Sequence, residues 1–236
     1  MNSRLTHARS RLAAALACLA VLTGCGIQIR QEPPLPTPSD LPTPQRAAAL
    51  LDELPQVPRH DPNAPDYDRD AFGTAWADTD NNGCNQRDDV LLRDAEPGSV
   101  TVAPQGACDH DVLAGTWLDP YTGARLSFDD LKDLSQAQAI QIDHVVPLAE
   151  AWGSGAYAWS ERRRERFAND LRGRLAADGP TNAAKGADDP AAWRPRRAHQ
   201  CAYALRWIEV KHTWTLGVDD SERRALGELL GTCPDP

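Results

Sequence analysis

Asp143, His144, Asn169 and Asn182 follow one another in a single stretch of the chain, and their types suit general-base and metal chemistry. An imidazole near its ordinary pKa takes a proton from water at neutral pH. Carboxylate and amide oxygens are hard ligands that suit a divalent cation. Asp143 and His144 stand inside "IQIDHVVPLAEAW" (residues 140–152), which otherwise has the apolar character of a half-buried strand. A polar pair there costs free energy unless it is partnered. Neighbouring strand residues point to opposite faces, so the two share one site only if the strand ends or bulges between them. Pro147 favours an early break. Taken singly, each residue has a structural reading: a core histidine, a capping aspartate, a turn asparagine, an asparagine at a helix stop. Only the ordered set points to chemistry.

The elements that must position this set follow from the local pattern. After the strand comes the Gly-rich "AWGSGAYAW", then the helix "SERRRERFANDL" with Ser160 as its N-cap. "GRLAADGPTN" predicts a short strand, a turn at Asp178–Gly179 and a helical turn from about Thr181. Upstream, "GTWLDPYTGARLSF" predicts a hairpin turning at residues 121–123. Downstream, Tyr203, Trp207, Val210 and Trp214 are spaced as the core stripe of a helix, which makes the nearby His199 and His212 structural. "SERRALGELLG" predicts a terminal helix ending at Gly231. Strands and helices of this kind make an α+β domain.

The order Asp-His…Asn…Asn on strand, loop, strand and short helix resembles the ββα-metal motif of HNH nucleases. The wider run, with "DTDNNGCNQRDDVLLRD" and "GTWLDPYTG" upstream, is similar to secreted HNH proteins related to the GmrSD-type C-terminal nuclease domain, over about residues 66–236. That resemblance implies a central hairpin and short helix wrapped by further helices and stapled by disulfides. It implies an endonuclease that cuts DNA, with RNA as the second candidate substrate, with the help of magnesium or manganese and with little base specificity. His144 becomes the base that activates water, and Asp143 and Asn182 the metal ligands. Asn169 becomes the group that orients the His144 ring, with Lys185 and Arg166 as phosphate contacts. Ala183 and Ala184 stand where relatives often have Arg or Ser, which leaves fewer phosphate contacts on the short helix.

The ends of the chain speak to location. Arg4, Arg9 and Arg11 precede an apolar run (residues 12–22) too short to span a bilayer, where about 20 residues are needed. "LTGC" then resembles a bacterial lipobox, so residues 1–24 are expected to be a signal peptide and Cys25 a lipidated N-terminus holding the protein outside the cytoplasm; an ordinary signal peptide with a chance cysteine, and so a secreted protein, is the alternative. Residues 25–65 are rich in proline and read as a tether, with "RAAALLDELPQV" allowing a turn or two of amphipathic helix. Residues 66–236, about 170, suffice for one domain, expected to be a monomer.

The remaining cysteines, Cys84, Cys108, Cys201 and Cys233, form an even set in a secreted domain, which favours two disulfides. Three pairings are possible; Cys84–Cys108 and Cys201–Cys233 are preferred because each closes a loop within one end of the domain. Loss of the three leader arginines takes the net charge from −9 to −12, which argues against a general nucleic-acid coat protein. The arginines that remain cluster at 161–174 and 194–197, flanking the Asp-His strand. "DTDNNGCNQRDD" (residues 78–89) partly fits a calcium loop, with Asp78, Asp80, Asn82 and Asp89 as ligands and Gly83 at the turn. An inactive HNH scaffold or a calcium-dependent binding lipoprotein is therefore the alternative reading. Chelation separates the nuclease from the calcium-dependent lipoprotein, abolishing cutting in the first and folding or binding in the second.

Overall fold

The computed structural model describes residues 41–59 and 61–234, so the leader, Cys25 and most of the proline-rich stretch lie outside the described residues. In chain order the elements are α1 (Pro44–Glu53), α2 (Gln86–Asp94), β1 (Thr101–Gln105), β2 (Cys108–Leu118), β3 (Arg125–Phe128), α3 (Leu134–Ala139), β4 (Ile140–His144), α4 (Leu148–Gly153), α5 (Glu161–Ala168), β5 (Arg174–Asp178), α6 (Gly179–Lys185), α7 (Arg197–Trp214) and α8 (Asp220–Leu230). The α+β class is as expected. β1, β2 and β3 form one antiparallel sheet, and β4 and β5 a separate antiparallel ribbon. The expected hairpin is β2–β3, with Gly123 at φ +71° in its turn. The disulfides are Cys84–Cys108 and Cys201–Cys233.

β4 and β5 separate two hydrophobic clusters. Ile140, Ile142 and Ala176 pack with Val90 and Leu91 of α2 and with Trp117 of β2. Ala177 and Leu175 join the larger cluster built by α1, α4, α5, α7 and α8, which includes the Tyr203, Trp207, Val210 and Trp214 stripe. A two-stranded ribbon has exposed edges that need partners. α2 supplies them for β5: Arg93 Nη2 donates to Arg174 O at 2.6 Å, and Asp94 Oδ2 accepts from Ala176 N at 2.9 Å. From the sheet side, Asp119 Oδ1 accepts from Asp178 N at 3.0 Å.

Strand runs straight into helix after β5. Asp178 caps α6, accepting from Thr181 N at 2.9 Å, and Pro180 sits in the first turn, where its missing N–H costs nothing. Gly179 is required there, because a Cβ would stand 2.7 Å from Gln138 O.

One segment expected to be tether is part of the domain. Thr43 caps α1, and Ala47, Leu50, Leu51 and Leu54 are buried in the larger cluster. Arg223 of α8 donates to Leu54 O at 2.9 Å, which ties down the helix's C-terminal end. The flanking prolines masked this helix, whose stability comes from a partner far away in sequence.

Candidate active site

β4 pairs with β5 without a bulge, from Ile140 opposite Asp178 to His144 opposite Arg174. Strand alternation therefore holds to the last residue, and Asp143 and His144 face opposite sides. Directly paired residues share a face, so the neighbour of His144 is Arg174.

His144 lines a cavity of about 440 Å³ together with Trp76, Arg87, Gln141, Arg174 and Asn182. Its Nε2–H donates to Ala168 O at 2.8 Å, which leaves the lone pair on Nδ1. Burial and then the positive charge of Arg174 hold its pKa at about 3, so the ring is neutral at physiological pH. Asn182, on α6, reaches the same cavity; its amide nitrogen donates to Gln141 Oε1 at 2.9 Å.

Asp143 is elsewhere. It is buried in the ribbon's other face, where Oδ2 accepts from the Tyr121 hydroxyl and Oδ1 from Lys185 Nζ at 3.0 Å. Lys185 is fully buried and also donates to His144 O at 2.8 Å, so it pins α6 to the end of β4. The expected roles of Asp143 as metal ligand and Lys185 as phosphate contact do not match these positions. The reason is the unbroken register, which turns Asp143 into the protein.

Asn169 also has a different partner from the one expected. It caps α5, its Nδ2 donating to Glu165 O at 2.9 Å and Thr74 O at 3.3 Å, and its Oδ1 accepts from Arg174 Nη2 at 3.0 Å. The ring of His144 is held by the carbonyl of the preceding residue, and Asn169 positions Arg174. Arg166 is half-buried on α5 and is not among the residues lining the cavity.

Arg174, Gln141 and Trp76 went unrecognised in the sequence. Arg174 is 2% exposed; its Nη2 donates to Ala168 O as well as Asn169, while Nε and Nη1 have no hydrogen-bond partner. Burial draws its pKa down to about 10, which leaves it a cation at neutral pH. The signal that finds it is the pairing register, and the long connection between β4 and β5 conceals that register.

Residues 86–229 match the C-terminal domain of the GmrSD restriction endonucleases. The chain belongs to that family. An uncharacterized secreted protein of Arthroderma benhamiae (strain ATCC MYA-4681 / CBS 112371) is 36% identical over 218 residues, which is 91% of this chain and 98% of that protein. No solved structure matches the chain. The GmrSD C-terminal family brings with it a nuclease-like HNH domain and a nucleic acid as substrate. No helix among the described residues is long and apolar enough to cross a membrane.

HNH nucleases generally use a divalent metal. The donor set of the cavity does not fit a hard cation as it stands. Asn182 offers one amide oxygen and Asp70 one carboxylate among several arginines, while both oxygens of Asp143 are engaged elsewhere. The second candidate metal site, residues 78–89, closes on itself through hydrogen bonds. Asp78 accepts from the backbone of Asn82 and Gly83, and the Asn82 amide nitrogen donates to Asp80 at 3.3 Å and Asp89 at 2.8 Å. His110 Nε2 meets the same Asp89 oxygen at 2.9 Å. A donor N–H lies between Asp80 and Asp89, which favours an Asx-rich turn leading into α2 over a calcium loop.

Proposed function

We propose that this protein is an endonuclease that hydrolyses phosphodiester bonds of DNA outside the cytoplasm, with RNA as a second substrate and little base specificity. One observation supports it above the rest. The neutral His144 ring, with its Nε2–H committed to Ala168, stands across the ribbon from a buried arginine that has two unpartnered nitrogens. Hydrolysis needs a base for water and positive charge for the crowded anionic transition state. His144 Nδ1 accepts the proton of the attacking water. Arg174, with Arg69 and Arg87 on the same cavity, neutralises the phosphoryl oxygens. Because the charge of Arg174 helps to hold His144 low, a phosphate bound there offsets that charge and moves the ring's pKa back up.

Magnesium and manganese are the ions to provide in a test of cutting, because HNH nucleases generally use a divalent metal. The protein acts as a monomer tethered through a lipid on Cys25.

The test gives plasmid DNA to the disulfide-bonded chain with magnesium, manganese or EDTA, beside a His144→Ala variant of equal melting temperature. Nicking by the wild type is expected, with a loss of about 10²–10⁴-fold in the variant. No cutting by the folded wild type with any metal would leave an HNH scaffold that binds without cleaving.

A further inference from the structure

Trp76 stands over the orphaned arginine. The Arg174 guanidinium carbon lies 5.0 Å from the centre of the Trp76 ring, and both residues line the His144 cavity. Trp76 has φ +61°, a conformation that bulky residues rarely adopt and that tends to persist where the surroundings enforce it. Its segment is held to α5 by the bond from Asn169 to Thr74 O, so one asparagine positions both the arginine and the strand of chain that carries the tryptophan. Trp76 is nevertheless 37% exposed, one of the few large apolar residues so placed. An aromatic ring backed by a cation, with part of its surface open, is a platform on which a nucleobase stacks whatever its identity.

Arg174 lines the same cavity while its Nε and Nη1 are buried without partners, and a guanidinium edge of that kind matches the oxygens of a phosphate. Phosphate and base of one nucleotide would then be held side by side next to His144. A base in a duplex is stacked on both faces and paired, and reaches such a platform only after being taken out of the helix. The cavity, about 440 Å³, is at the small end of ligand sites.

We propose that Arg174 and Trp76 form a nucleotide subsite which selects unpaired strands, Arg174 taking the phosphate beside His144 and Trp76 stacking the adjoining base. This rests on the nuclease reading of the same cavity and names its substrate class.

The test measures fluorescence anisotropy of a labelled oligothymidine and of a labelled hairpin duplex with the full disulfide-bonded chain in EDTA, so that binding is read apart from cutting. The single strand is expected to bind at least about 5-fold more tightly, within the range of one base–aromatic stack. Trp76→Ala removes that preference and Trp76→Phe keeps most of it. Arg174→Gln weakens both probes and lessens the salt dependence of binding. Equal binding of strand and duplex, binding of neither, or a Trp76→Ala variant that leaves the preference intact would overturn the subsite. If Trp76→Ala fails to fold, the Trp76→Phe and Arg174→Gln affinities decide by themselves. Strand-selective binding without any cutting would remove the nuclease reading and keep the subsite. Equal cutting and binding of both forms would do the reverse.

Discussion

Lys211 and Arg174 are both cations buried in the domain, yet their surroundings differ completely. Lys211, on α7, donates to Glu150 at 2.7 Å, Ser154 at 2.9 Å, Gly217 O at 2.8 Å and Glu222 at 2.7 Å. It ties α4, α7 and α8 together, and no capacity is left over. Arg174, which lines a cavity, engages one nitrogen and leaves two buried without a partner. Burial is therefore a poor guide to role, and satisfaction a good one. A buried charge with all its hydrogen bonds made is a structural pin, whereas one with unmet donors beside a cavity calls for another explanation.

The largest effect expected from this contrast is on stability. Lys211→Met leaves the buried Glu222 and the partly buried Glu150 without their cation, and urea unfolding should show a loss of about 3–5 kcal/mol. A loss below about 1 kcal/mol would erase the distinction between the two sites.

Next comes pH. One ammonium cannot neutralise two carboxylates, and Glu222 is the deeper of them. Burial pushes Glu222 up to about 7 from an ordinary 4.5, with Glu150 adding to the rise and Lys211 opposing it. A carboxyl that holds its proton more tightly when folded stabilises the fold at low pH. That contribution is fully present below about 4.5 and is lost as pH rises through about 7. Stability measured across that window should fall with rising pH, and Glu222→Gln should flatten the profile. A flat wild-type profile would mean that Lys211 satisfies both acids.

The smallest effect is expected at Arg174. Two of the three Arg174 nitrogens have no bond to lose, so Arg174→Met should cost only about 1–2 kcal/mol, for the bonds from Nη2, even as nucleic-acid binding falls. A loss like that of Lys211→Met would make Arg174 a second pin.

The two residues that open the central motif carry the same lesson. Asp143 and His144 were legible as a polar pair in a strand, and the strand, its partner and the short helix that follows were legible from turn and cap residues. What the pair faces was not. With an unbulged register, one residue goes to Tyr121 and Lys185 and the other to the cavity. Asn169 was legible as a helix stop, but its oxygen serves Arg174, whose place opposite His144 depends on a pairing that spans a long connection. α1 was legible only as a turn or two of amphipathic helix, because a segment between prolines gains its full length and its place in the core only when α7 and α8 cover its apolar side.

Local chemistry in the sequence alone thus determined the α+β class, the strands and short helix of the central motif, and two disulfides whose observed pairing was the preferred one of three. These depend on turns, caps, periodicity and near-neighbour cysteines, all read over short distances. The tertiary structure decided which side chains share the cavity, which of them are sealed away, and that a buried arginine under a tryptophan stands beside His144. Those outcomes depend on strand register and on packing between distant segments, which no single stretch of the chain specifies.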